Sequence, residues 1–398
     1  MLLQPLYAFL ISITLTLALI IRRYDVSIAL GLGVLLYAVL TLNSLNDLGK
    51  VTVDLLSVAT VNTLLSLIQA MFLADLYRES RVAEKMIDGI SCLGDRVAGF
   101  ITPAIIGLLP MPGGAYISAV LADPLYNRLR LGSDEKTYIN YWFRHIWVPT
   151  WPLFQNIIMA SAILGVSVRD ILSINWRITV ASILAGVIVS TYIFAQTQRR
   201  DSGDKKISSK NSCSLRGVIH LWPFIIISIL ALVLNIALPI ALLITIAMFI
   251  AIYKPRDSVI LRALKYSLNI PIILLLIEIL VFSSLIRETN LASEINRLVS
   301  DYLLVAVFIV PLVIGFGTAA EFAYVALAFP PFLTAFHESN VYTVLAFLGG
   351  YMGVMLSPSH ACLVLSAKYY NSILTKPYRY IIPSVILTVI LTSALLLF

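Results

Sequence analysis

Two segments place helix-breaking residues and potential ligands inside otherwise apolar sequence. The first, from Gly107 to Pro124, contains three prolines, three glycines and Asp123. The second, from Leu303 to Phe336, carries Thr318 and Glu321 beside a glycine-containing break. Proline removes a backbone donor and clashes with the preceding turn, so it interrupts a helix. Broken backbone inside a membrane is tolerated only where protein or water satisfies the freed polar groups, so both segments predict a binding site.

Two long apolar stretches are also interrupted by proline. The stretch Thr137–Leu164 contains Val148-Pro149-Thr150-Trp151-Pro152, and the stretch Val341–Tyr370 contains Ser357-Pro358-Ser359-His360. Free helix ends offer backbone donors and a dipole to an anion, and unwound carbonyls can coordinate a cation. The predicted substrate- or ion-binding residues share a position at or next to these breaks. They are Pro112, Gly113, Gly114, Thr150, Gln155, Asn156, Thr318, Glu321, Ser357, Ser359 and His360.

Three carboxylates are predicted to couple transport to a cation. Glu321 lies among apolar residues at a break, where a carboxylate is costly and a proton or sodium role is favoured over a helix cap. Glu278 lies in the middle of a predicted span, where it either carries protons or fixes packing. Asp123 either contacts substrate or ends a helix before Pro124. His360 could change charge near neutral pH or serve only as a hydrogen-bonding group.

Other chemically capable residues have simpler interpretations. Arg144 and His145 could draw an anion inward, although an arginine at this position could also extend to the membrane surface. The tryptophans near the first proline break are typical of packing or interface anchors. Cys92, Cys213 and Cys362 lack metal-ligand spacing, so no zinc site and no disulfide framework are predicted. We expect no cofactor and no metal other than Na⁺, with Na⁺ or H⁺ as the coupling ion.

Composition requires a bilayer as solvent. Hydrophobic residues make up 60% of the 398 positions and charged residues 12%, which excludes an ordinary soluble domain. The sequence thus predicts an all-α polytopic membrane protein. The first apolar run has no basic segment before it and is expected to be a retained span. The net charge of +7 is spread between apolar runs, so membrane orientation explains it better than nucleic-acid binding does.

The order of spans and breaks occurs twice. Gly107 matches Gly315, Tyr116 matches Tyr324, and Pro149 matches Pro358 at a nearly constant offset. This internal repeat predicts two halves, each with about five transmembrane helices, one of them broken, plus a re-entrant hairpin. The predicted segments are a first repeat at 1–196, with a hairpin at about 97–130 and a broken helix at about 137–165, a cytoplasmic linker at 197–216, and a second repeat at 217–398, with a hairpin at about 300–337 and a broken helix at about 341–370.

Charge distribution predicts how the halves are oriented. Five crossings per half place the two halves upside down relative to each other. With both termini outside the cell, most of the 28 Lys and Arg residues fall in cytoplasmic segments, as the positive-inside rule requires. The matched residues Arg78 and Arg287 then lie on opposite faces. The expected location is the cell membrane.

These features resemble the ion transporter superfamily, which includes sodium-coupled dicarboxylate and citrate carriers, gluconate and arsenite permeases and some antiporters. The hairpin Pro110-Met111-Pro112-Gly113-Gly114-Ala115-Tyr116, followed by Arg144-His145-Ile146-Trp147-Val148-Pro149, is most similar to a prokaryotic branch of unknown function. The Ser-Asn-Thr signatures that dicarboxylate carriers place at both hairpin tips are absent here. The resemblance implies a secondary active transporter, and a homodimer is expected from it alone.

The expected activity is transport of a small, anionic solute coupled to H⁺ or Na⁺ by alternating access. The runner-up is a Na⁺/H⁺ antiporter without an organic substrate, in which the three carboxylates would act alone. A membrane-embedded enzyme is less favoured, because Ser359 and His360 are adjacent and do not by themselves give a nucleophile, a base and an orienting group. The expected partners are the lipid bilayer and a small solute or ion.

Overall fold

The structure is a computed structural model that describes residues 4–22, 24–42, 45–82, 85, 94–111, 113–200 and 215–397. The helices described before residue 201 are α1 (Pro5–Ile21), α2 (Val26–Thr41), α3 (Leu45–Leu55), α4 (Val58–Glu79), α5 (Asp95–Gly107), α6 (Gly114–Arg128), α7 (Ser133–His145), α8 (Gln155–Leu164) and α9 (Val168–Arg200). No strand occurs among the described residues.

The helices after residue 214 are α10 (Trp222–Ile227), α11 (Leu238–Tyr253), α12 (Asp257–Ser267), α13 (Ile270–Glu288), α14 (Leu291–Leu298), α15 (Leu303–Thr318), α16 (Glu321–Ala328), α17 (Leu333–Glu338), α18 (Asn340–Leu356), α19 (Ala361–Tyr369) and α20 (Tyr378–Leu395). A 3₁₀ segment, Leu215–Leu221, precedes α10, and a π-helical turn, Ser228–Val233, follows it. Short 3₁₀ turns, Ser300–Tyr302 and Pro330–Phe332, precede α15 and α17.

The all-helical membrane architecture is confirmed for the described part of the chain. Six helical stretches there are long and apolar enough to cross a membrane. They are Val58–Glu79, Val168–Thr197, Asp257–Glu288, Ser300–Thr318, Asn340–Tyr369 and Tyr378–Leu395. Shorter apolar helices such as α2 and α11 lie between them. A 30 Å hydrocarbon layer requires about 20 apolar residues, and these lengths meet or approach that requirement.

The sequence predicts a span at about Val259 to Ile286, and this range lies within the apolar stretch Asp257–Glu288 that is long enough to cross a membrane. The structure divides the stretch into two helices, α12 and α13. Asn269 caps α13 by accepting a hydrogen bond from the Ile272 backbone, and Pro271 lies at the start of the helix, where its missing donor costs nothing. Ser57 caps α4 in the same way through Thr60. A capping residue followed by proline is therefore the sequence signal for this division.

Helices from before residue 201 pack against helices from after residue 214. Helix α4 contacts α11 and α12, and helix α13 contacts α2 and α3. Nearer the breaks, α6 contacts α19, and α16 contacts α8. Each hairpin therefore packs against the second segment of the broken helix that belongs to the opposite half. The proline breaks of both halves consequently lie close together.

Matched glycines allow each hairpin to approach its own broken helix. A Cβ atom at Gly107 would overlap the backbone carbonyl of Arg144, and one at Gly315 would overlap the carbonyl of Gly350. Helices α15 and α18 pack closely along their length, because Gly349 and Gly353 likewise leave no room for a Cβ against the α15 backbone. Helix backbones at this distance fix the position of both hairpin tips.

Candidate functional site

A cavity of about 320 Å³ is lined by residues from both hairpin tips and both broken helices. Pro110 and Met111 belong to the first tip, and Ala319 to Phe322 belong to the second. The first broken helix contributes Arg144 and Phe154 to Asn156, and the second contributes His360 to Cys362. Tyr266 and Ile272, next to the break between α12 and α13, complete the lining. Helices α8, α16 and α19 each begin at this cavity, with their free backbone donors at its wall.

Arg144 is the principal positive group of the cavity. Its side chain belongs to the last turn of α7, is only 4% exposed, and extends across to the second half. Its Nη1 lies 3.8 Å from Cys362 Sγ, and its Nη2 lies 3.4 Å from the Met111 carbonyl oxygen. Nε has no hydrogen-bond partner among the described residues. None of the ion pairs found in the described chain includes Arg144.

The first hairpin tip is shaped around this guanidinium. Gly113 adopts the left-handed region with φ of 72°, where a side chain would be strained. A Cβ atom at Gly114 would overlap the Arg144 guanidinium. The glycine pair therefore turns the chain and lets the charged group lie directly against the start of α6.

Two histidines meet at the crossing of the broken helices. His145 and His360 are 1% and 4% exposed, and their Nε2 atoms are 3.1 Å apart. The Nδ1 of His145 lies 2.6 Å from the Tyr141 carbonyl oxygen, and the Nδ1 of His360 lies 2.9 Å from the Ala319 carbonyl oxygen. Glu321 Oε1 is 4.0 Å from the Nε2 of His360. The second hairpin tip and both broken helices are thus joined through imidazole rings.

Asn156 places an unpartnered acceptor in the same wall. Its amide nitrogen donates to the Val148 carbonyl and to the Tyr324 hydroxyl, which belongs to the second hairpin. The side chain is fully buried, and its Oδ1 has no hydrogen-bond partner among the described residues. Gln155 precedes it at the first position of α8 and lines the cavity. A buried acceptor without a partner costs about 1–3 kcal/mol, so a bound donor would stabilise this arrangement.

Four of the predicted site residues line the cavity: Gln155, Asn156, Glu321 and His360. Gly114 does not line it but lies directly against the Arg144 guanidinium. Others have local partners and do not line it. The Thr150 hydroxyl pairs with Thr179, the Thr318 hydroxyl donates to the Ile314 carbonyl, and Ser357 pairs with the exposed Ser359. Gly113 is exposed at the turn. Pro112 lies outside the described residues.

The other two predicted coupling carboxylates lie outside the cavity lining. Glu278 accepts hydrogen bonds from Ser27 Oγ at 3.0 and 3.1 Å, across the contact between α13 and α2. Asp123 pairs with Lys136 at 2.8 Å and also accepts from Asn127. Both carboxylates therefore have partners that connect neighbouring helices or turns, which agrees with a packing role for Glu278. The prediction that Asp123 ends a helix before Pro124 was wrong, because α6 continues through Pro124 to Arg128.

Sequence reasoning gives little weight to several residues that line or support the site. It offers a surface alternative for Arg144 and predicts no metal-binding role for Cys362, but both residues line the cavity, and His145 contacts His360. The signal for His145 and His360 is their position beside the two proline breaks. The three tryptophans near the first break each donate a hydrogen bond to a backbone carbonyl, as packing anchors do. Trp142 donates to Ser182, Trp147 to Ala104 and Trp151 to Leu108.

Comparison with known proteins gives one result at the level of the family. No curated protein matches the chain. A family model matches residues 5–398, which is nearly the entire sequence and includes both hairpins, both broken helices and the cavity between them. The chain therefore belongs to the family described as Protein of unknown function (DUF401).

Proposed function

We propose that the protein is a secondary active transporter of a small anionic solute, coupled to H⁺ or Na⁺. The observation that carries this proposal is the convergence of four helix breaks on one cavity that contains the buried guanidinium of Arg144, which has no ion-pair partner among the described residues. An uncompensated buried charge costs several kcal/mol. A bound carboxylate or oxyanion would offset that cost through a bidentate pair with the guanidinium.

The helix ends add to the preference for an anion. Helices α8 and α19 begin at the cavity wall, where the first backbone donors of a helix are free and the dipole favours negative charge. The volume of about 320 Å³ accommodates a small organic acid or an inorganic oxyanion. Discontinuous helices around a central site are the arrangement by which secondary transporters bind charged solutes.

The exchange of helix partners supports two inverted repeats. In the repeat, α4 corresponds to α13 and α3 corresponds to α12. The contact between α4 and α12 is then equivalent to the contact between α13 and α3, as a two-fold axis would require. The positive-inside rule predicts that the matched residues Arg78 and Arg287 lie on opposite faces of the membrane, and the two-fold axis would then lie in the membrane plane. Alternating access then consists of movement of the hairpins and broken helices against the remaining spans. This arrangement underlies the resemblance to the ion transporter superfamily.

A Na⁺/H⁺ antiporter is the second candidate. Glu321 favours it, because this carboxylate lies in the cavity at the second hairpin tip beside His360. In this version the anion site would be unnecessary. Enzymatic activity is disfavoured, because Ser357 and Ser359 pair with each other and the described contacts of His360 do not include either hydroxyl.

A ligand-stabilisation screen of the purified protein tests the proposal. Small carboxylates and inorganic oxyanions would be added as sodium or choline salts, and the melting temperature would be recorded at several pH values. A ligand that binds only the folded state at 100 times its Kd stabilises it by about 2.7 kcal/mol. We expect at least one anion to raise the melting temperature. Stabilisation by sodium but by no anion would instead support the antiporter.

Cysteine labelling in whole cells tests the inversion. Arg78→Cys and Arg287→Cys would be introduced separately into a chain whose native cysteines are replaced by serine. Both arginine side chains are partly exposed, at 30% and 48%, so a cysteine there should be accessible. We expect a membrane-impermeant maleimide to label the Arg287 variant in intact cells and the Arg78 variant only after permeabilisation. Labelling of both from the same side would contradict the inverted arrangement.

A further inference from the structure

The hydrogen bonds of the histidine pair determine where their protons lie. A backbone carbonyl can only accept, so His145 must donate its Nδ1–H to Tyr141, and His360 must donate its Nδ1–H to Ala319. In the neutral tautomers, each Nε2 is then left with a lone pair. The two Nε2 atoms are 3.1 Å apart. Facing lone pairs at this distance repel unless a cation lies between them, either a proton or a metal ion.

A metal ion fits the geometry of this pair. Two nitrogen ligands of a tetrahedral Zn²⁺, at bond lengths of about 2.0–2.1 Å, lie about 3.3 Å apart. The observed separation of 3.1 Å is close to that value. Histidines that bind metals usually donate the other ring N–H to a carbonyl or carboxylate, which orients the ring, and both histidines make this second contact.

Further ligands are available beside the histidines. The Sγ atom of Cys362 lies within 4.8 Å of the imidazole ligand atoms, so a small rotation of the side chain would bring it to bonding distance. Arg144 Nη1 lies 3.8 Å from Sγ, so the sulfur also faces a positive group. Glu321, with Oε1 at 4.0 Å from His360 Nε2, is within reach as a fourth ligand or can leave that position open.

We infer that His145, His360 and Cys362 form a binding site for a divalent transition metal of the Zn²⁺ class. Two imidazoles and a thiolate suit this class, whereas Na⁺ prefers oxygen ligands. The ligands come from both broken helices, so a bound ion would link the two halves at their crossing. A thiolate and the Glu321 carboxylate would neutralise the ion and leave the Arg144 charge for an anion. Only this last step rests on the proposed function.

Cobalt binding tests the site without any transport assay. The full chain would be purified with a tag that lacks histidine, in a Cys92→Ser, Cys213→Ser background that leaves Cys362 as the single cysteine of the three in the sequence. Tetrahedral Co²⁺ with a thiolate ligand gives visible d–d bands and a near-ultraviolet charge-transfer band. We expect one Co²⁺ per chain, both kinds of band, and displacement by Zn²⁺.

Variants assign the ligands. Cys362→Ser should remove the charge-transfer band. His145→Gln and His360→Gln should each weaken Co²⁺ binding by about 100-fold or more, because loss of a direct ligand costs more than the 10- to 100-fold that is typical of changes outside the ligand shell. His337→Gln is the matched control, because His337 is exposed on α17, and it should leave both bands unchanged. The three ligands lie on two separate chain segments. If one ligand variant fails to fold, the other variants still test the site.

The inference is overturned if Co²⁺ gives no tetrahedral spectrum, or if its spectrum is the same in the three ligand variants as in the parent chain. The first result would mean that these residues form no such metal site, and the second that Co²⁺ binds elsewhere on the chain. The anion screen remains informative in that case, because Arg144 and the helix ends do not depend on a metal.

Discussion

Replacement of Arg144 by methionine should separate ligand binding from fold stability. Methionine has a similar length and no charge. If Arg144 binds an anion, its removal weakens binding but also removes a buried charge that lacks an ion-pair partner among the described residues. The two effects have opposite signs, which makes the variant informative.

The magnitudes follow from the surroundings of the guanidinium. Truncating one partner of a buried charge pair costs about 2–5 kcal/mol, so the Kd of the anion should rise between about 30-fold and several thousand-fold. Without ligand, Arg144→Met should raise the free energy of unfolding by about 1 kcal/mol or leave it unchanged, because replacing buried ions by apolar groups is often neutral or stabilising. The guanidinium lies 3.4 Å from the Met111 carbonyl and 3.8 Å from Cys362 Sγ, and polar interactions at these distances stabilise the fold only weakly.

The assay is thermal unfolding of the purified variant with and without the anion found in the screen. Arg177→Met is the matched control, because Arg177 is partly buried and donates to the Leu395 carbonyl at 2.9 Å but does not line the cavity. We expect it to keep anion binding and to lose some stability. An Arg144→Met protein that is less stable and still binds the anion would refute the reasoning, since the guanidinium would then be a structural hydrogen-bonding group.

Three further predictions concern packing and the other carboxylates. Gly315→Ala should destabilise the protein by about 1–3 kcal/mol in an unfolding assay, because the new Cβ would meet the Gly350 carbonyl. Gly317→Ala is the control, and it should be neutral or stabilising because the space around Gly317 is open. Thr150→Val should lower the free energy of unfolding by about 1–3 kcal/mol, because it leaves the Thr179 hydroxyl unpaired. The double variant with Thr179→Val should lose less stability than the single variant, and additive losses would contradict the pairing. Glu278→Gln should leave the anion Kd unchanged, because Glu278 contacts Ser27 outside the cavity, and a large change in Kd would show that it belongs to the site.

The positions of the breaks could be predicted from sequence because proline and glycine act locally. Helices α7 and α18 end shortly before Pro149 and Pro358, which lack a backbone donor, and Gly113 supplies a left-handed turn that other residues resist. The division of the long apolar run at Asn269 is also local, although the apolar content conceals it. Elements defined by such residues can be predicted from one sequence.

The membership of the site could not be predicted in the same way. His145 and His360 are 215 residues apart, and only the crossing of the broken helices brings them together. Thr150 is next to a break, yet its side chain pairs with Thr179 on α9 and does not line the cavity. Side-chain direction and long-range approach depend on packing, which residue type and spacing do not specify.

Solute exchange in proteoliposomes tests the central claim most directly. The stabilising anion, carrying an isotope label, would be offered outside vesicles that contain the purified protein and the unlabelled anion. We predict saturable accumulation of the label that is absent from protein-free vesicles, abolished by Arg144→Met and retained in Arg177→Met. Binding of the anion without exchange across the membrane, or its conversion to another compound, would contradict the transporter account.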